Sequence, residues 1–73
     1  MILQRIKDIR TDNDEKQQTI ADILQISKQQ YSLYERGERT FPIHLLIILA
    51  KHWNISLDYL CGLTSTPRKL YDR

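Results

Sequence analysis

Lys28, Gln29, Gln30, Ser32 and Leu33 follow directly on Ser27. Together they offer an ammonium donor, amides that both donate and accept, a hydroxyl and an apolar tip. Such a set can read a hydrogen-bonding surface; it holds no nucleophile paired with a base. Elsewhere, His44 and His52 lie roughly 80° apart around a helix. No partner cysteine, carboxylate pair or glycine-rich phosphate loop accompanies them. Cys61 is the single cysteine. It cannot close an internal disulfide, and a zinc site wants about four ligands. It reads as a small buried hydrophobe in the last helix, with an intermolecular disulfide as the alternative. The chain therefore reads as a binding protein, not an enzyme, and nothing in it calls for a cofactor or a metal.

The polar set must be held by helices. In Gln17 to Arg39, QQTIADILQISKQQYSLYERGER, the residues Ile20, Ala21 and Leu24 recur on one helical stripe, and Ile26 plugs the following turn. Tyr31 and Tyr34 share a second stripe. Ser27 is a good N-cap, and Gln30, three residues on, is its expected capping-box partner. Gly37 stands where a left-handed residue ends the second helix. Two short helices joined by a turn near Gln25 and Ile26 are expected, with Lys28, Gln29, Gln30, Ser32 and Leu33 near the exposed start of the second.

Before this pair, Ile2 to about Asp12 reads as a helix with Ile2, Leu3, Ile6 and Ile9 inward. Thr11 to Asp14 is a stop, and Asp14, with Gln17 three residues on, is a candidate cap for the next helix. After it comes a loop, Glu38 to Phe41, and Pro42 opens a fourth helix running to about His52. Ile43, Leu46, Ile47, Ala50 and Trp53 form its expected core stripe. Leu45, Ile48, Leu49 and His52 lie off that stripe, so this helix is apolar around most of its circumference. Ser56 caps a fifth helix with Leu57, Leu60 and Leu63 inward and Gly62 at its end. Residues 64–73 read as a basic tail. The chain divides into one all-α domain over 1–63 and that tail.

Gln17, Ile20-Ala21, Leu24, Ile26-Ser27 and Tyr34-Glu35-Arg36-Gly37 resemble the helix-turn-helix of the lambdoid phage repressor and Cro family. Leu49-Ala50-Lys51 and Ser56-Leu57-Asp58-Tyr59-Leu60 match its fourth and fifth helices. The resemblance covers roughly Ile2 to Leu63 and implies a compact five-helix, lambda-repressor-like DNA-binding domain. It also implies a pairing of Arg10 with Glu35, phosphate contacts from Gln17, Arg36, Arg39 and Thr40, and dimerisation through the last two helices. Two positions depart from the family. Gln25 stands where the turn commonly has glycine, and Asp14-Glu15 replaces a usual glycine and apolar pair.

The resemblance gives the polar face a target. The major groove of B-DNA admits a helix and shows each base pair as a distinct donor and acceptor pattern. A glutamine can bridge adenine N6 and N7, a lysine can reach guanine O6 and N7, and a leucine can pack on a thymine methyl. Lys28, Gln29, Ser32 and Leu33 are the expected base readers, with Gln30 divided between reading and capping. Taken alone, the same face would suit a helix turned to water, and Arg39 and Thr40 would suit a solvated loop. Tyr31 and Tyr34, which could stack on single strands, sit at core spacing.

Charge alone would not have suggested DNA. The chain carries +2 at pH 7. Residues 1–26 hold four basic and five acidic side chains, 27–51 four and two, and 52–73 three and two. The positive bias thus begins at the second helix of the motif. Two glycines and two prolines argue against a disordered chain. The apolar run Leu45 to Ala50 is too short to span a bilayer. A bacterial or phage cytoplasm is the expected setting. A domain this small buries only about 60% of its unfolded surface, so dimerisation would help it. Leu45, Ile48, His52, Trp53 and Tyr59 are the expected dimer patch, or else they complete a monomer's core. The expected partner is double-stranded DNA at a two-fold operator bound by a homodimer, with repression as its outcome. A protein-interaction module such as an antitoxin or antirepressor is the rival reading.

Overall fold

A computed structural model describes residues 4–62. Expectations placed on Ile2, Leu3, Leu63 and the tail lie outside the described residues. Within them the chain forms five helices and no strand. These are α1 (Gln4–Asp12), α2 (Gln17–Leu24), α3 (Lys28–Glu35), α4 (Ile43–Trp53) and α5 (Leu57–Leu60). None of them is long and apolar enough to cross a membrane.

Local chemistry sets most helix ends. The Ser27 hydroxyl accepts from the Gln30 backbone N–H at 3.0 Å, and the Ser56 hydroxyl accepts from that of Tyr59 at 3.1 Å. Each satisfies a donor that has no partner inside the helix. The capping box at α3 is only half formed, because the Gln30 side chain donates to the Tyr34 hydroxyl at 2.9 Å instead. Three helices end on a non-glycine residue in the left-handed region: Asp14 (φ 56), Gln25 (φ 59) and Asn54 (φ 54). That geometry lets the Ile26 N–H reach Ala21 O and the Ile55 N–H reach Ala50 O, both at 3.0 Å. Asp14 is used up in ending α1, so Lys16 takes the α2 cap position, without a side-chain bond. Gly37 (φ 78) ends α3 and turns the chain so that the Glu38 N–H meets Leu33 O at 2.9 Å.

The core is centred on Ile6, Ile20, Tyr31, Leu49 and Leu60, all essentially inaccessible to water. Tyr31 and Tyr34 are buried, so neither is a free stacking platform. Phe41, expected in a loop, is also buried, its ring 5.0 Å from that of Tyr34 and edge-on to Tyr31 at 6.3 Å. In α4 the inward face is rotated from the expected stripe. Leu45, Leu46, Leu49 and Ala50 are buried, while Ile43 and Ile47 are 57% and 41% exposed. Leu45, expected in a dimer patch or else in the core, follows the second of these readings and completes the core. The helix is apolar on nearly every side, so periodicity alone could not choose which side packs. Among the other residues of that patch, Tyr59 lies beneath the Arg5 guanidinium at 4.2 Å, and Ile48 is 37% exposed. His52 and Trp53 turn to Glu15.

Two polar clusters join the helices. In the first, one Glu15 carboxylate oxygen accepts from the Trp53 indole and the other meets His52 Nε2, each at 2.7 Å. A carboxylate at a position expected to be apolar thus ties the α1–α2 junction to the end of α4. Burial pushes this carboxyl's pKa up, but the bonds from Trp53 and His52 outweigh burial and hold it below the usual range. In the second, Arg10 grips Glu35 with two bonds, Nε to Oε2 at 2.8 Å and a second guanidinium nitrogen to Oε1 at 2.9 Å. Both side chains are buried. The Tyr31 hydroxyl donates to the same carboxylate. Burial pushes the Glu35 carboxyl up, and the bonds from Arg10, Tyr31 and Gln17 more than reverse it. Tyr31 is shifted upward by burial and by its bond to Glu35, so it stays a donor.

Arg10→Ala leaves a buried carboxylate unmatched and should lower unfolding free energy by about 3–5 kcal/mol in denaturant titrations. Glu38→Ala, which breaks only the exposed pair with Arg36, should change it by less than about 1 kcal/mol. Glu35 has a folded pKa below its unfolded value of about 4.3. Its contribution is whole above that pH and is lost as pH falls through the folded value. Acid unfolding followed by circular dichroism should therefore steepen below about pH 4.3, and Glu35→Gln should flatten that limb. The α4 register predicts that Leu45→Ala costs about 2–5 kcal/mol. Ile48→Ala should fall nearer the small effects of about 0.5 kcal/mol seen at exposed sites.

Candidate nucleic-acid interface

The α2–α3 turn leaves the first turn of α3 exposed. Lys28 and Gln29 are open to solvent, and Ser32 and Leu33, one turn on, are half-buried. With Gln17 and Arg36 they line one open groove of about 500 Å³. Helical spacing explains the grouping. Residues 28, 29, 32 and 33 follow one face of α3 at i, i+1, i+4 and i+5, and Arg36 continues it by another turn. Ser27 fixes where the helix begins and so fixes which side chains stand at its tip. Four of the five base-reading candidates therefore share one surface. The fifth, Gln30, is half-buried, is not among the groove's lining residues, and donates its amide N–H to Tyr34 one turn on in the same helix.

The phosphate candidates divide. Gln17 and Arg36 border the groove. Arg36 is exposed and paired with the equally exposed Glu38 at 2.9 Å, a contact that an arriving phosphate could replace. Arg39 and Thr40 are exposed in the turn after Gly37 and are not among the groove's lining residues. Arg10 and Glu35 lie beneath the face, where they fix α3 against α1.

The electrostatics of the face favour an anion. Lys28 and Arg36 supply cations along it, and the start of α3 presents backbone N–H groups and the positive end of the helix dipole. The Glu38 carboxylate is exposed and paired with Arg36, and Glu35, beneath the face, is buried and offset by Arg10. Gln17 connects this buried pair to the surface: its side-chain nitrogen donates to Glu35 Oε1 at 3.0 Å.

Sequence reasoning missed three participants. The Gln17–Glu35 bond spans two helices and leaves no mark in spacing. Phe41 could have been suspected as the one phenylalanine, set against the proline that opens α4. Glu15 carried a signal too, a carboxylate at an apolar position, but its partners are distant in sequence. It borders a second depression with Asn13, His52 and Trp53.

The comparisons with known proteins agree with this geometry. The family described as Helix-turn-helix matches residues 6–60. An uncharacterized HTH-type transcriptional regulator of Bacillus subtilis (strain 168), YobD, is 32% identical over all 73 residues. The chain spans 65% of that relative's length. No solved structure matches the chain. The family match runs from the core of α1 to the end of α5, through the α2–α3 pair on which the groove is built, and the chain belongs to the Cro/repressor-type helix-turn-helix family.

Proposed function

We propose that the chain is a sequence-specific double-stranded-DNA-binding transcriptional regulator that reads the major groove with the start of α3. One observation carries the reading: Lys28, Gln29, Ser32 and Leu33 share a single open groove with Gln17 and Arg36. In this role Lys28 reaches guanine O6 and N7, Gln29 bridges adenine N6 and N7, and Leu33 packs on a thymine methyl. Ser32 adds a hydroxyl able to donate or accept. Gln17 and Arg36 hold the phosphates on either side, with Arg39 and Thr40 reaching the backbone beyond, and these contacts set the register of α3 in the groove. Family membership and the name of the Bacillus relative support the reading. The protein acts in the cytoplasm as a repressor by occupying its site, and it does so as a homodimer.

The exposed isoleucines support the dimer. Ile43, Ile47 and Ile48 are exposed on α4 and are not among the groove-lining residues. A second copy on that face would set two α3 helices ~34 Å apart on one side of the duplex. The same exposed face also favours the second reading, in which α4 receives a different protein.

Selection from a random duplex pool at ~0.15 M salt separates the two. The wild type should enrich a two-fold-symmetric site with half-sites about one helical turn apart. A Lys28→Ala/Gln29→Ala variant of equal stability should lose that selectivity. Enrichment of nothing, with residual binding that fades alike in both proteins as salt rises, would overturn the DNA-reading proposal and favour a protein partner.

A further inference from the structure

We infer that Glu35, although buried, is a positioning residue for DNA binding, acting through the side-chain amide of Gln17. The inference rests on the DNA-reading function proposed above and adds to it a residue that touches no DNA.

An ionised carboxylate only accepts hydrogen bonds and has about four places to do so. Arg10 fills two with its paired bonds, the Tyr31 hydroxyl fills a third and Gln17 fills the last. Because this partner cannot donate, the end of the Gln17 amide facing it must be the NH2 group and not the carbonyl. The choice that an amide usually leaves open is thereby made by charge. One N–H of Gln17 is committed to Glu35 at 3.0 Å, and the amide is held at the edge of the groove beside the α3 face. A phosphate oxygen is likewise an acceptor only, so the second N–H of Gln17 is a donor already set for it.

Two features make the arrangement workable near a polyanion. Arg10 offsets the Glu35 charge at 2.8 Å, so an approaching phosphate does not meet a bare carboxylate. The amide is also immobilised before binding, so the entropy of ordering it is not charged against the complex. A long glutamine side chain loose in water would lose that freedom on binding.

In Glu35→Gln the group facing Gln17 can donate. The Gln17 amide is then no longer obliged to turn its nitrogen inward, and its donor leaves the position set for phosphate. The test is a double-mutant cycle on affinity for the selected duplex, with Gln17→Ala and Glu35→Gln singly and together, each corrected for its folded fraction. A hydrogen bond to a charged group being lost, Gln17→Ala should weaken binding about tenfold. Glu35→Gln should weaken it several-fold in the wild type and leave it unchanged when Gln17 is already alanine. A merely structural role for Glu35 makes the two losses multiply, and that result overturns the inference. If Glu35→Gln does not fold, the wild-type Gln17 side-chain amide decides the matter by NMR. One of its two protons should be shifted and protected in the free protein, and the other should move on adding duplex. Two protons resembling those of exposed Gln25 would overturn it. A wild type that selects no duplex removes the DNA-reading function itself, and this inference with it, before the cycle begins.

Discussion

The buried pairing of Arg10 with Glu35 is the constraint on which the rest of the molecule depends. It joins α1 to α3 across the core, and it is expensive to break because either partner alone would be a buried charge. Each remaining acceptor site on the carboxylate is used to fasten something else. Tyr31, at the centre of the core, donates from one side, and Gln17, at the start of α2, donates from the other. Three helices therefore converge on one carboxyl group. The geometry of α3 is fixed by directional bonds in addition to non-directional packing.

From that anchor the exposed face follows. With its back held by Tyr31, Tyr34 and Glu35, α3 must turn Lys28, Gln29, Ser32 and Leu33 outward. The Ser27 cap sets the first residue of the helix, and the left-handed Gln25 sets the angle at which the chain enters it. At the other end Glu15 pins the α1–α2 junction to Trp53 and His52. Two carboxylates, one deep and one shallow, therefore brace the start of α2. Neither contributes directly to the face that the protein offers to a ligand.

Much of this was legible in the sequence because it is local. The Ser27 and Ser56 caps, the left-handed Gly37 and the stripe of Ile20, Ala21 and Leu24 each depend on neighbours within one turn, and each is present. The tip of α3 was legible for the same reason, since a cap and a helical repeat are enough to gather its side chains. What failed was long-range or degenerate. The inward face of α4 was misjudged because isoleucine and leucine surround the helix, and only contact with α2 and α5 decides which of them pack. Leu45, open to either the dimer patch or the core, packs into the core on that account. Gln30 matched a capping box by type, but Tyr34 offered its side chain a better partner. The bonds from Gln17 to Glu35 and from His52 and Trp53 to Glu15 join residues 18, 37 and 38 positions apart, beyond the reach of any periodic pattern.

We propose that the start of α3 enters the major groove of duplex DNA. Dimethyl sulfate protection on the selected duplex tests it most directly, because this reagent marks guanine N7 in the major groove and adenine N3 in the minor groove. Guanine N7 should be protected in each half-site, on one face of the helix, with adenine N3 unaffected there. Protection confined to adenine N3, or bound duplex with every guanine N7 still open, would contradict it.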